Sequence, residues 1–459
     1  MLSLSTVHII SIVLTLGLVT ALGIYSMKKV QNASDFAVGG RNIGAPLVAG
    51  TIIGTLVGGS STIGTAQLAF TSGFSAWWFT LGGGAACIIL GVFLAKPLRE
   101  SGASTVPGFL AAAYGQKARL LSSIFSSLGI FLMIIAQILS AIALITTVVD
   151  VEPIIAALVA IFLVISYVIF GGVWGTGLVG LLKAFLVYFS LLVAGITAYN
   201  LGGGLTGFRG TFPSFPWFSL FGRGVAVDLA AGFSLIVGVL STQTYFQAMF
   251  SGRNVKAARQ GAIISGLVIP PIGLAAIWVG MYMRSTYPDI SPGMALPLFI
   301  IEYLPHTLGG VVLATLLISI VGTGAGLVLG VSTMLSQDIY KKLINPQTSE
   351  RKVLQFTRLS IILVTLVTLV FVTGNINSLI LEWGFLSMGL RGSTICLPLL
   401  GAIFLKGFIK PKAGVMAIGL APTLTILWAI FGSKSIDPLY IGLLASLGIL
   451  FFGSLISKE

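Results

Sequence analysis

The sequence predicts an all-α, polytopic membrane protein of about 13 transmembrane helices, organised as a five-plus-five inverted repeat with two broken helices. Three observations carry this expectation. Of 459 residues, 56% are hydrophobic and 8% charged, with mean hydropathy +1.07, too apolar for a water-soluble domain of any class. Apolar runs long enough for the hydrocarbon core of a bilayer recur along the whole chain. Two runs are interrupted by glycine and hydroxyl residues, at corresponding places in the two halves.

In chain order the runs lie near 5–27, 44–71, 76–95, 120–148, 153–172, 177–200, 228–250, 260–284, 308–336, 353–374, 377–405, 412–432 and 437–456. The first has no Lys or Arg ahead of it and no small-residue cleavage site behind it, so it reads as a retained helix and not a signal peptide. The whole chain, 1–459, is then one transmembrane domain: a peripheral helix at 5–27, a first repeat over 44–200, an inverted second repeat over 228–405, and two peripheral helices within 412–456. The longest polar connections, near 201–227 and 285–307, leave room for short helices or gates. In the first of them, Phe212, Phe215, Trp217 and Phe218 read as an interfacial aromatic belt. Cys87 and Cys396 both fall inside apolar runs, which argues for packing and against a disulfide or a cysteine metal site.

The formal net charge is +13, and where the charges fall decides what that means. Most Lys and Arg, among them Lys28, Lys29, Arg41, Lys96, Arg99, Arg253, Lys341, Lys342, Lys406 and Lys410, sit in connections on one side of the predicted topology. The positive-inside rule then puts the amino terminus outside and the carboxyl terminus in the cytoplasm of a plasma (inner) membrane. This accounts for the basic balance without nucleic acid as a partner. Only Lys183 and Arg391 fall within spans.

The interrupted runs are Gly54-Thr55-Leu56-Val57-Gly58-Gly59-Ser60-Ser61-Thr62-Ile63-Gly64-Thr65 and Gly238-Val239-Leu240-Ser241-Thr242-Gln243. In lipid, freed backbone groups are tolerated only where they line a cavity or pack within protein, and unwound carbonyls are natural ligands for a cation. Small residues also serve plain helix packing. Because polar residues cluster in these two stretches, the transporter reading is preferred, with the site at the midplane between the repeats.

Four stretches in order then resemble the sodium:solute symporter family over nearly the whole chain. Ser34-Asp35-Phe36-Ala37-Val38-Gly39-Gly40-Arg41-Asn42-Ile43-Gly44 is similar to its glycine-rich signature before the first broken helix. Thr242-Gln243-Thr244-Tyr245-Phe246-Gln247, and the following Ser251-Gly252-Arg253-Asn254 and Ala257-Ala258-Arg259-Gln260-Gly261, resemble the second broken helix and its basic loop. Gly324 through Asp338-Ile339-Tyr340-Lys341 resembles the end of the sodium-site helix. The resemblance implies secondary transport of a small organic solute by alternating access. It also implies a sodium site made from the carbonyls of Gly54 and Val57 with Ser319, Gly322 and Thr323, oxygen ligands that suit a hard cation.

The chain departs from the family pattern at that site. Gly322 stands where the family commonly carries Ser and offers no side-chain oxygen. Gly180 stands where an Asp is common, and Lys183 where a Gln is common. In some proton-coupled relatives of this fold a lysine from the equivalent helix reaches the sodium position. An ionisable residue within a span is a functional candidate in its own right. Two readings of Lys183 follow: an ammonium that replaces sodium, giving proton-coupled or sodium-independent transport, or a peripheral lysine snorkelling to the interface beside ordinary sodium coupling.

The resemblance places the solute against the broken helices and the third core helix, which makes Gly58, Ser61, Thr62, Gln137, Thr242 and Gln243 candidate substrate residues. Glu382 and Arg391, nine residues apart on one span, are too distant for a helical pair; Arg391 would bind a carboxylate or stabilise a helix terminus. No catalytic residue and no enzyme are expected, because His8 and His306 are the only histidines and stand at predicted span ends with no acid or metal-ligand cluster. A channel is the remaining alternative. The expected small molecules are the solute and a coupling ion, sodium or proton; no other cofactor is expected. The bilayer is the remaining partner, and the oligomeric state is left open.

Overall fold

The computed structural model describes residues 4–27, 42–149, 151–433 and 436–456, with side chains of residues 169–179 and of a few further positions left out. Most of the glycine-rich signature at 34–41 therefore lies outside the described residues. The rest is helical, and the only β pairing among the described residues is one isolated parallel bridge between Ile43 and Gly252. The principal helices are α1 (Thr6–Met27), α2 (Ala45–Leu56), α3 (Thr65–Ser72), α4 (Trp78–Ile89), α5 (Val106–Tyr114), α6 (Gln116–Val149), α7 (Pro153–Leu201) and α8 (Val225–Val239). They continue as α9 (Gln243–Ser251), α10 (Val255–Thr286), α11 (Ala295–Tyr303), α12 (His306–Thr333), α13 (Glu350–Thr373), α14 (Ile380–Phe404), α15 (Pro411–Phe431) and α16 (Pro438–Ile456).

Among the described residues, nine helices are long and apolar enough to cross a membrane, or ten when the bent α8–α9 pair is taken as one span. Four shorter apolar helices, Thr6–Leu18, Ala45–Leu56, Pro153–Val168 and Pro292–Tyr303, join them. The first broken run divides at Val57, and the runs at 153–172 and 177–200 follow one another within one helical stretch, α7.

Both breaks form where the sequence predicts them. At the first, α2 ends with Val57 in an extended conformation (φ −87°, ψ 93°), and Gly58 and Gly59 lead into a π-helical turn, Ser60–Gly64. At the second, α8 and α9 meet at 42°, with Thr242 extended between them (φ −94°, ψ 122°). Hydroxyls supply what the missing turns remove. Ser61 Oγ donates to Leu56 O (2.7 Å) and Thr62 Oγ1 to Gly58 O (2.9 Å); Ser241 Oγ donates to Val237 O (2.6 Å) and Thr242 Oγ1 to Gly238 O (2.5 Å). Buried carbonyls left bare would each cost about 1–3 kcal/mol, so these serines and threonines make the breaks tolerable in an apolar interior.

α7 and α12 pack on α2, and α6, α8 and α16 pack on α14. Trp217 seats its carbonyl against Gly73, and its ring lies 4.3 Å from that of Phe212. The inner loops are tied together by backbone pairing: Ile43 N donates to Ser251 O (3.0 Å) and Arg253 N to Ile43 O (2.8 Å), while Arg99 Nε donates to Gly252 O. The described tail of the glycine-rich signature thus meets the basic loop that follows the second break.

Candidate functional site

The first break, α7 and α12 converge on one buried ammonium. Lys183, 2% exposed, donates from Nζ to Gly54 O (2.5 Å), Ser319 O (2.7 Å) and Thr323 Oγ1 (2.8 Å). An ammonium has three protons, and each meets an oxygen. The remaining groups knit the same cluster together: Ser319 Oγ donates to Val57 O (2.8 Å), and Thr323 Oγ1 lies 3.1 Å from Gly54 O and 3.2 Å from Val57 O. Gly54, Val57, Ser319, Thr323 and Lys183 therefore occupy one site. Lys183 does not run along its helix to an interface, and among the described residues no carboxylate pairs with it.

Two glycines border this arrangement. A Cβ at Gly322 would stand 3.7 Å from both Cδ and Nζ of Lys183, an ordinary contact that places position 322 beside the ammonium. At Gly180, one turn before Lys183, a Cβ would run into the backbone carbonyl of Gly50. An aspartate, expected there from the family pattern, has no room, because α7 lies directly against α2.

The substrate candidates divide into three groups. Gln137 sits beside the first break: its Oε1 accepts from Gly59 N (2.8 Å) and its Nε2 donates to Ser60 Oγ (3.2 Å). Gly58 is wedged between α6 and α12, where a Cβ would lie 2.5 Å from Thr323 Oγ1 and 2.6 Å from Gln137 Oε1. Ser61 and Thr62 are turned onto their own helix. Thr242 belongs to the second break, where it accepts from Arg391 Nη1 (2.6 Å). Gln243 points elsewhere: Oε1 accepts from Val106 N (2.8 Å) and Nε2 donates to Ser104 O (3.3 Å), which fixes the start of α5. Next to it Thr105 Oγ1 donates to Asp338 Oδ1 (3.0 Å), which also takes Arg119 Nη1 (3.0 Å). Sequence reasoning missed Ser60 and Ser387; the serine at 387, one turn before a buried arginine, was the available signal for the latter.

The model of the sodium:solute symporter family matches residues 36–421. The chain belongs to the sodium:solute symporter family. It is 24% identical to a high-affinity choline transporter of Drosophila melanogaster over 78% of this chain and 60% of that protein, and 23% identical to the human one, of which it spans 65%. The chain thus spans under two thirds of the length of these choline transporters. It is also 23% identical to the high-affinity proline transporter PutP of Bacillus subtilis over 95% of both chains. Among solved structures, a sodium-coupled sialic acid symporter in a substrate-bound, outward-open state superposes with TM-score 0.83 at 18% identity, covering 100% of this chain and 99% of that one. A nucleobase-cation-symport-1 transporter in a closed conformation gives 0.57 at 11% identity, covering 93% and 95%. Both likenesses are of fold. Symporters of this family are multi-pass membrane transporters of small solutes, and the family takes its name from sodium. Among the described residues no cluster of three or more His, Cys, Asp or Glu is placed to hold a metal ion.

Proposed function

We propose that this symporter-family chain is a secondary transporter of a small organic solute, working by alternating access, in which the Lys183 ammonium takes the place of a bound sodium ion. The observation that carries the reading is the triple contact of Nζ with Gly54 O, Ser319 O and Thr323 Oγ1. A cation at that point ties α7 and α12 to the unwound end of α2. Its proton is the exchangeable part: with Nζ charged the oxygens are satisfied, and with Nζ neutral they lose their cation. Opening and closing of the site would then follow protonation, giving proton-coupled or sodium-independent transport.

In this reading 44–200 and 228–405 are the two inverted repeats, each opening with a broken helix, and 5–27 and 412–456 are peripheral. The distribution of Lys and Arg supports an outside amino terminus and a cytoplasmic carboxyl terminus in the plasma (inner) membrane. Gly58, Ser61, Thr62, Gln137 and Thr242 border the solute's path, while the contacts of Gln243 favour a role in holding the inner loops. A second reading, ordinary sodium coupling, is favoured by one observation: Val57 O and the Ser319 hydroxyl are not used by Nζ and remain for an ion that displaces it.

Thermal unfolding of the purified chain in sodium against potassium salts, across pH, separates the two, because a bound ion stabilises by mass action even with the solute unknown. Potassium is the better control than choline, given the choline transporters among the relatives. The lysine reading expects no sodium response in the parent and a pH response that Lys183→Ala removes. A sodium-specific rise in melting temperature in the parent would sink it; at tenfold over its dissociation constant such an ion contributes about 1.4 kcal/mol.

A further inference from the structure

The second buried cation stands at the other break. Arg391 is fully buried, at 0% exposure, and its contacts are all neutral. Nε donates to Ser387 O (3.1 Å), Nη1 to Thr242 Oγ1 (2.6 Å), and Nη2 to Ser387 Oγ (2.8 Å) and Met388 Sδ (3.2 Å). A guanidinium carries five N–H donors. Among the described residues, oxygens meet three of them, and a fourth faces a thioether, a weak acceptor. Among the described residues no carboxylate answers the charge: the buried acids Asp228 and Asp338 are paired with Arg223 and Arg119. A buried cation left without a counter-charge is costly, and a planar fork with a spare donor matches the two-oxygen geometry of a carboxylate.

Position adds a second argument. Gly129, Met133 and Gln137 follow one another every fourth residue on one face of α6. A Cβ at Gly129 would lie 2.5 Å from Arg391 Cγ, Met133 Sδ takes Ser60 Oγ at 3.7 Å, and Gln137 holds Gly59. α6 is thus packed directly on the stem of Arg391, and the same face of the helix links the arginine to the first break over about 12 Å. Thr242, which accepts from Nη1, is the extended residue between the halves of the second broken helix.

We propose that Arg391 is the anion subsite of this transporter: the solute is a carboxylate, docked by its two oxygens on Nη1 and Nη2 beside the second break. The proposal rests on the transport reading and names the solute class of that site. Lys183 holds the ion's place at one break and Arg391 receives the solute's charge at the other.

The test is thermal unfolding of the full chain in potassium buffer with propionate, L-lactate, succinate or benzoate, each against its own amide. At least one acid is expected to raise the melting temperature while its amide does not. R391K, which keeps the charge and loses the fork, is expected to weaken that acid about tenfold, and R391Q to abolish the effect. S387A keeps the arginine and frees Nη2, so it is expected to bind the acid more tightly, a response that a purely structural arginine would not give; it also serves if R391Q does not fold. No stabilisation by any acid, equal stabilisation by acid and amide, or an unchanged acid response in both R391K and S387A overturns the proposal. The ion reading fails on a different signal, a sodium response with no solute present. Uptake of the stabilising acid into proteoliposomes tests transport apart from binding: binding without uptake breaks the transport reading alone.

Discussion

The two broken helices are built on one plan and finished differently. In each, a buried cation from a neighbouring helix is linked to a carbonyl in the last turn before the break, directly at the first and through a hydroxyl at the second. Lys183 donates directly to Gly54 O in the last turn of α2; Arg391 donates to Thr242 Oγ1, which donates in turn to Gly238 O in the last turn of α8. A helix carboxyl end carries partial negative charge, so a cation there is favourable in both. At the first break the ammonium has three donors and three oxygens, and the cluster is closed. At the second, the guanidinium has more donors than oxygens, and a hydroxyl stands between it and the backbone. A saturated cation holds its helices together until it loses its proton, whereas an undersaturated one has capacity to take a ligand.

The most drastic way to break this comparison is to remove the saturated cation. Lys183→Ala leaves Gly54 O and Ser319 O, both buried, without their donor, and uptake is expected to fall at least about 100-fold with folding retained in detergent, as read by size-exclusion profile and proteoliposome flux. Wild-type uptake in the variant would show that the first break needs no cation. Next come two wedges that set the breaks against each other. In Gly238→Ala the new Cβ meets the Cβ and Cα of Met388 at 2.5 and 2.7 Å, and atoms so close to a backbone cannot step aside; the expected cost is about 1–3 kcal/mol of stability. In Gly58→Ala the new Cβ meets Thr323 Cβ at 2.6 Å as well as the ends of Thr323 and Gln137, so a comparable stability loss of about 1–3 kcal/mol is expected, here together with loss of the pH response attributed to Lys183, which Gly238→Ala leaves in place. Loss of that response in both variants would mean that the two breaks do not act separately.

Much of this was legible in the sequence, for one physical reason: lipid makes irregular backbone expensive, so glycine–hydroxyl runs stand out against 56% hydrophobic residues. The same contrast marks Lys183 and Arg391, since an ionisable residue in an apolar run needs an explanation. Long-range partners did not show. Gln243 sits in the second interrupted run like a pocket residue, yet its side chain caps α5, some 137 residues back along the chain. Nor did Gly180 reveal why it lacks a carboxylate; only the approach of α7 to Gly50 O shows that none would fit.

The smallest expected effect is also the sharpest test of the first break. At Gly322 an added Cβ meets only Lys183 Cδ and Nζ, at 3.7 Å, an ordinary contact. Gly322→Ala in the middle of α12 is therefore expected to be neutral or to stabilise by up to about 1 kcal/mol, through the lower helix cost of alanine. Gly322→Ser adds a hydroxyl beside Nζ, and in the parent it changes little because the ammonium already has its three oxygens. In a Lys183→Gln background the same serine would complete a set with Gly54 O, Val57 O, Ser319 and Thr323, and sodium is expected to raise the melting temperature of the double variant but not of Lys183→Gln alone. If sodium is ignored by the double variant, the oxygens around Nζ are arranged for an ammonium only, and the likeness of the two cations ends at their charge.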